Sequence, residues 1–210
     1  MDKLRQNWDL LQMTTKIITL CIIIYLLTIG IEYFYQTSFL QSLIILGANV
    51  NYLIWNGEVW RLLSAVFLHG NIIHLFVNMY SLNNIGNEIE YVFGKWKLLF
   101  VFILTGILGN FVSFFFSVWS FAEYGFVNPL LFPHISVGAS GSIFGLLGYI
   151  LGKKLNERKL MMEGKFLNVD MNSLITVLVL NLFIGFTVPN IDNNAHIGGF
   201  VFGIILSLLM

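Results

Sequence analysis

Gly138-Ala139-Ser140-Gly141 opens the apolar run Ser142 to Gly152, directly after the proline-containing stretch Asn128 to Val137. A serine at that point stands on the first turn of a membrane helix, where backbone N–H groups lack intrahelical partners and the dipole favours developing negative charge. That environment suits the formation of an alkoxide. A serine at a helix start is equally an ordinary N-cap, so the reading of Ser140 depends on the rest of the chain.

The chain has 210 residues, of which 57% are hydrophobic and 10% charged. Soluble domains carry about 25% charged residues, so this composition indicates an integral membrane protein, and the helix-length apolar runs below make it all-α. A net charge of zero offers no basic surface to a nucleic acid. The lone Cys21 cannot form a disulfide within the chain. Lys3 and Arg5 precede an apolar run that exceeds a signal-peptide core and has no small-residue cleavage site before Glu32, which predicts a retained first span. With no repeat and no linker, residues 1–210 read as one membrane domain.

Apolar runs place six spans at about 14–32, 68–87, 98–119, 139–152, 171–188 and 195–210. Between the first two, Tyr33 to Glu58 is broken by Gly47, Asn49, Asn51, Asn56 and Gly57, and it is expected to lie in the membrane interface. A polar, Phe-rich loop is expected between span three and Val137. Span two is unusual in carrying His69, His74, Asn78, Ser81, Asn83 and Asn84, because polar groups at membrane depth are costly and face a partner or a water-filled cavity. Six spans put both termini on one side. Ten of the eleven basic residues fall on that side, namely Lys3, Arg5, Lys16, Lys95, Lys97, Lys153, Lys154, Arg158, Lys159 and Lys165, with Arg61 alone opposite. The positive-inside rule then makes both termini cytoplasmic.

Even-numbered spans consequently run inward from the outer face, and their N-terminal ends share one level. Ser140 begins span four, His196 lies on the first turn of span six, and His74 and Asn78 lie one to two turns into span two. At about 1.5 Å per residue these groups share one depth. Imidazole is the side chain suited to taking a serine proton near neutrality. Small residues provide a means of joining them: Gly141, Gly145 and Gly148 on span four face a match in Gly199 and Gly203 on span six. Gly106 and Gly109 offer close contact on span three. His74 and Asn78, spaced i, i+4 on one face, could with the Ser140 N–H stabilise an oxyanion. A face of hydrogen bonds to neighbouring helices is the alternative for these polar groups, and for His69 a structural or water-facing role. His134 reads as an inert loop residue. Asp192 falls four residues before His196 in an aqueous loop, so a serine–histidine pair is expected in place of a three-member triad. No metal site is expected, since His69, His74 and His196 lack an acidic or thiolate companion and no HExxH spacing occurs.

Taken in order, these residues resemble the rhomboid intramembrane serine proteases. Trp60-Arg61 resembles the family's first-loop Trp-Arg pair, and His69, His74 and Asn78 fit its His-x4-His-x3-Asn pattern. Gly86 and Glu90 resemble the Gly-x-x-x-Glu ending of its second helix. Gly138-Ala139-Ser140-Gly141 is similar to the Gly-x-Ser-Gly nucleophile motif, and Ala195-His196 with Gly199 and Gly203 to the Ala-His-x-x-Gly-x-x-x-Gly motif of its sixth helix. The resemblance implies a six-transmembrane-helix rhomboid-like bundle with an interfacial first loop. It implies a Ser140–His196 catalytic pair, an oxyanion hole from His74, Asn78 and the Ser140 N–H, and a cavity open to the outside. Transmembrane protein substrates in the lipid bilayer would be cut near the outer ends of their helices, with lateral entry past span five and no cofactor. Two departures stand out. Phe144 occupies the place where the family often has a tyrosine against the histidine. Met210 ends span six fourteen residues after His196, which leaves open a truncated C-terminus.

Two other classes compete. A non-catalytic membrane protein that holds transmembrane helices in the same groove would be marked by loss of Ser140 or His196, and both are present. A small transporter using the polar face of span two would need paired intramembrane charges that the chain lacks. The minimal extramembrane parts favour a bacterial cell membrane. The sequence does not set the oligomeric state.

Overall fold

The computed structural model describes residues 12–123, 134–156, 161–162, 164, 166–167 and 191–210. The fifth expected span, 171–188, lies outside these residues. The described chain is mostly helical. Helix α1 is Met13–Tyr35, α2 is Phe39–Leu46 and α3 is Asn51–Trp55. Next come α4, Arg61–Ser64, with a 3-10 turn at Ala65–Phe67, and then α5, Ile72–Phe93. Helices α6, Lys95–Glu123, α7, Ser140–Leu155, and α8, Asn193–Leu209, complete the set. Two short strands, β1 (Asn49–Val50) and β2 (Ile135–Ser136), pair antiparallel with Asn49 opposite Ser136.

Among the described residues, Met13–Tyr35 and Lys95–Trp119 are long and apolar enough to cross a bilayer. The Arg61–Phe67 and Ile72–Phe93 pair meets the same length and composition together, as a broken span or a re-entrant loop bent by 90°. Helix α1 shows how lipid exposure is written into the sequence. Its buried residues, Thr14, Ile17, Cys21 and Thr28, form a narrow stripe at helical spacing, while Leu20, Ile22, Ile23, Leu26, Leu27 and Ile29 are exposed. Helix α5 divides in the same way. Leu75, Asn78, Met79, Leu82, Gly86 and Ile89 face inward, and Ile72, Ile73, Phe76, Val77 and Tyr80 face out. Helix α7 is buried around most of its circumference, from Gly141 to Ile150, and forms the axis of the bundle.

The starting point of span two differs from expectation. Leu68 is extended, with φ −88° and ψ 149°, and the helix starts at Ile72 behind the cap Asn71, whose side chain accepts from the His74 N–H. His69 therefore precedes α5 and is not a turn above His74 on one helix. It is fully buried from bulk solvent. Helix α6 runs on to Glu123, past the expected loop boundary at Trp119.

Two motifs from the sequence hold the periphery together. The Glu90 carboxylate accepts from the Met13 N–H at 2.7 Å, the Thr14 N–H at 2.9 Å and the Thr14 hydroxyl at 2.8 Å. It thereby caps the first turn of α1 from another helix, where Gln12 supplies no side-chain cap. Gly86, one turn earlier, leaves room for Thr14: a Cβ there would lie 2.9 Å from its Cγ2. Arg61 organises the interfacial segment. Its guanidinium donates to the Ile44 and Ala48 carbonyls at 2.7 and 3.2 Å, pairs with Glu58 at 2.7 Å and lies over the Trp60 ring at 4.7 Å.

Candidate active site

Ser140 is the first residue of α7, and the preceding Ala139 provides no side-chain cap. The serine hydroxyl is thus free of the capping role that a helix start suggests. The Ile143 N–H makes the first helical bond, to the Ala139 carbonyl at 2.9 Å, so the N–H groups of residues 140–142 point forward without intrahelical partners. Gly138 sets the entry to this turn. Its φ of 135° excludes side chains, and its N–H is fixed to the Ala65 carbonyl at 2.9 Å. The β1–β2 pairing anchors the same segment from its other end.

His196 lies on the first turn of α8, and its Nε2 is 2.7 Å from Ser140 Oγ. Glycine makes that approach possible. A Cβ on Gly199 would overlap the Gly141 carbonyl, and one on Gly203 would overlap the Gly145 carbonyl, so the two backbones run in direct contact. Gly109 of α6 closes on the same turn, where a Cβ would lie 2.7 Å from the Ala195 carbonyl oxygen. The Phe144 ring stacks on the imidazole with centroids 4.4 Å apart and 11° between planes. His196 Nδ1 is buried and has no hydrogen-bond partner among the described residues. Stacking and the backbone of α8 therefore hold the ring.

The His74 ring enters the space beside Gly138: a Cβ built there would lie 2.8 Å from His74 Cε1, 2.9 Å from Nε2 and 3.6 Å from Ser140 Oγ. His69 packs edge-on against His74, with centroids 5.3 Å apart. The Asn78 amide donates one N–H to the His74 carbonyl at 2.9 Å along its own helix, and its second N–H makes no hydrogen bond among the described residues. No group of three or more His, Cys, Asp or Glu side chains gathers among the described residues in a way that could hold a metal ion.

Asp192 and His134 differ from their expected roles. The Asp192 side chain is 12% exposed, not aqueous, and it caps α8 by accepting from the Ala195 N–H at 3.0 Å. Its second oxygen accepts from the Ser113 hydroxyl of α6 and lies 3.4 Å from His134 Nε2. His134 is thus engaged, and its main chain bonds to Asn51 on both sides. Sequence reasoning missed this cluster, although an Asp shortly before an apolar helical run is a readable N-cap signal.

Burial alone would raise the Asp192 pKa, but the hydrogen bonds from His134, Ser113 and the Ala195 N–H outweigh it, aided by the His134 charge. Together they bring the value from 3.8 to about 2. A depressed carboxylate stabilises the fold fully above 3.8, and that contribution is lost as pH falls through about 2. Thermal unfolding of the detergent-solubilised protein, followed from about pH 6 down to about pH 2, should show the loss, and Asp192→Asn should flatten that limb.

The Rhomboid domain family model matches residues 56–210. Rhomboid protease GluP of Bacillus subtilis (strain 168) is 38% identical over 163 residues, covering 78% of this chain and 28% of that protein. RHOMBOID-like protein 5 of Arabidopsis thaliana is 38% identical over 165 residues, covering 79% of this chain and 48% of that protein. Rhomboid protease AarA of Providencia stuartii is 31% identical over 210 residues, covering 91% of this chain and 72% of that protein. The chain therefore spans less than half the length of the first two relatives.

Proposed function

The chain belongs to the rhomboid family, and on that premise we propose that it is an intramembrane serine endopeptidase acting on transmembrane protein substrates. The observation that carries the reading is the 2.7 Å contact between Ser140 Oγ and His196 Nε2 at the N-terminal ends of two helices. In this reading Ser140 Oγ attacks the scissile carbonyl carbon while its proton passes to Nε2. The tetrahedral oxyanion takes hydrogen bonds from the Ser140 N–H, the His74 ring and the second Asn78 N–H. Collapse breaks the C–N bond, the proton on Nε2 goes to the leaving amine, and an acyl-enzyme ester remains. Water, deprotonated by the same nitrogen, then hydrolyses the ester.

The finer topology follows the same proposal: six spans, both termini cytoplasmic, and cleavage near the outer end of the substrate helix. The basic residues gathered on one side support it. A scissile peptide must leave helical geometry to expose its carbonyl, so substrates carry helix-breaking residues near the cut. A serine-directed fluorophosphonate tests the reading: the wild-type protein should form one covalent adduct, located on Ser140, and absence of an adduct would favour non-catalytic capture of helices. Asn78→Ala should lower kcat by about 10²-fold if its amide serves the oxyanion, and an unchanged kcat would assign it to helix packing alone.

A further inference from the structure

We infer that Asp192 is a positioning residue for the reaction: anchored to Ser113 and His134, its carboxylate fixes the helical turn that presents His196 to Ser140. The inference rests on the protease reading above and adds a residue to it.

The imidazole lacks the usual means of orientation. His196 Nδ1 has no acceptor among the described residues, and Phe144 stacks but offers no hydrogen bond. The ring is aimed chiefly by the backbone from which it projects, and that backbone is the first turn of α8. One Asp192 oxygen accepts from the Ala195 N–H at 3.0 Å, and the Asp192 main-chain carbonyl accepts from the His196 N–H at 3.2 Å. Both bonds close the turn around the histidine.

The other carboxylate oxygen reaches outside the helix, which an ordinary cap does not do. It accepts from the Ser113 hydroxyl, and Ser113 Oγ is 3.1 Å from His134 Nε2. A carboxylate only accepts and a serine has one proton, so the chain of bonds runs in one direction. His134 Nε2–H donates to Ser113 Oγ, and the Ser113 O–H donates to Asp192. His134 is tied in turn to Asn51, next to β1, by its N–H to Asn51 Oδ1 at 3.1 Å and its carbonyl from the Asn51 N–H at 3.2 Å. The turn carrying His196 is thus joined to α6 and to the two-stranded pairing that leads into Gly138 and Ser140. Nucleophile and base are located against one frame.

The test uses the full chain in detergent, with a transmembrane peptide substrate for kcat and KM and a fluorophosphonate for the rate of adduct formation. Asp192→Ala should lower kcat and the labelling rate by about 30-fold at temperatures well below its melting point, with KM unchanged within about 2-fold. Asp192→Asn should recover to within about 3-fold of wild type, because its amide oxygen can cap Ala195 and its NH2 can donate to Ser113 Oγ. Ser113→Ala should give a smaller loss that does not add to that of Asp192→Ala, since both break one path. Wild-type kcat in a folded Asp192→Ala protein overturns the inference, as does a loss confined to KM or one that only tracks the unfolded fraction. If wild type labels and Asp192→Ala labels equally fast, the positioning role alone fails. If wild type does not label, the protease reading fails and takes this role with it.

Discussion

Ser140→Ala yields a folded protein that takes no fluorophosphonate adduct and cleaves a co-expressed membrane substrate at least about 10⁴-fold more slowly than wild type. The expected separation of activity from folding follows from what the hydroxyl does. It makes no capping bond, and its hydrogen-bond partner is His196 Nε2. Alanine is the better helix former, and the N–H groups of residues 140–142 are unchanged by the replacement. Removing the oxygen therefore deletes the atom that would attack the carbonyl while leaving the entry to α7 in place. Melting temperature and adduct mass, measured on the same preparation, check both halves. Cleavage that persists at wild-type rate would show that another group attacks the peptide.

Gly203→Val destabilises the protein by about 3 kcal/mol or more and removes activity with it, although residue 203 lies two turns from the imidazole. A Cβ at this position would overlap the Gly145 carbonyl oxygen and lie 2.8 Å from its carbon. These are backbone atoms inside α7, and they cannot rotate away as a side chain would. The valine is accommodated only if α8 moves off α7, which carries His196 away from Ser140. Gly30→Ala on α1 is the matched control. Nothing lies within 4 Å of a Cβ there, so the change should be neutral or stabilise the helix by up to about 1 kcal/mol. Thermal unfolding of both variants in one detergent distinguishes close packing from a general intolerance of glycine replacement. Equal melting temperatures would refute the packing argument.

A second set of contacts explains why the two ends of the bundle depend on different kinds of bond. At the Ser140 end, the Asp192 and Asn71 side chains cap α8 and α5 from their own N-cap positions, accepting from the Ala195 and His74 N–H groups. At the Glu90 end, one carboxylate serves the N–H groups of Met13 and Thr14 and the Thr14 hydroxyl. Both arrangements supply first-turn N–H groups with acceptors from within the protein, whereas the N–H groups of residues 140–142 are left open at the site.

The residues themselves determined the membrane class, the family and the motif positions, because hydrophobic length, small-residue spacing and the order of His, Asn, Ser and His are local properties of a chain. Three-dimensional contact decided the rest. An apolar count starts span two at Leu68, because it cannot see that Leu68 is extended and that Asn71 caps a helix beginning at Ile72. The sequence places Asp192 in an aqueous loop, because its partners Ser113 and His134 lie 79 and 58 positions away. Burial and hydrogen bonding at such separations depend on how helices pack, and no spacing rule within one segment carries that information. The sequence marked Ser140 and His196 as candidates, and the contact of the glycine faces on α7 and α8 set the distance between them.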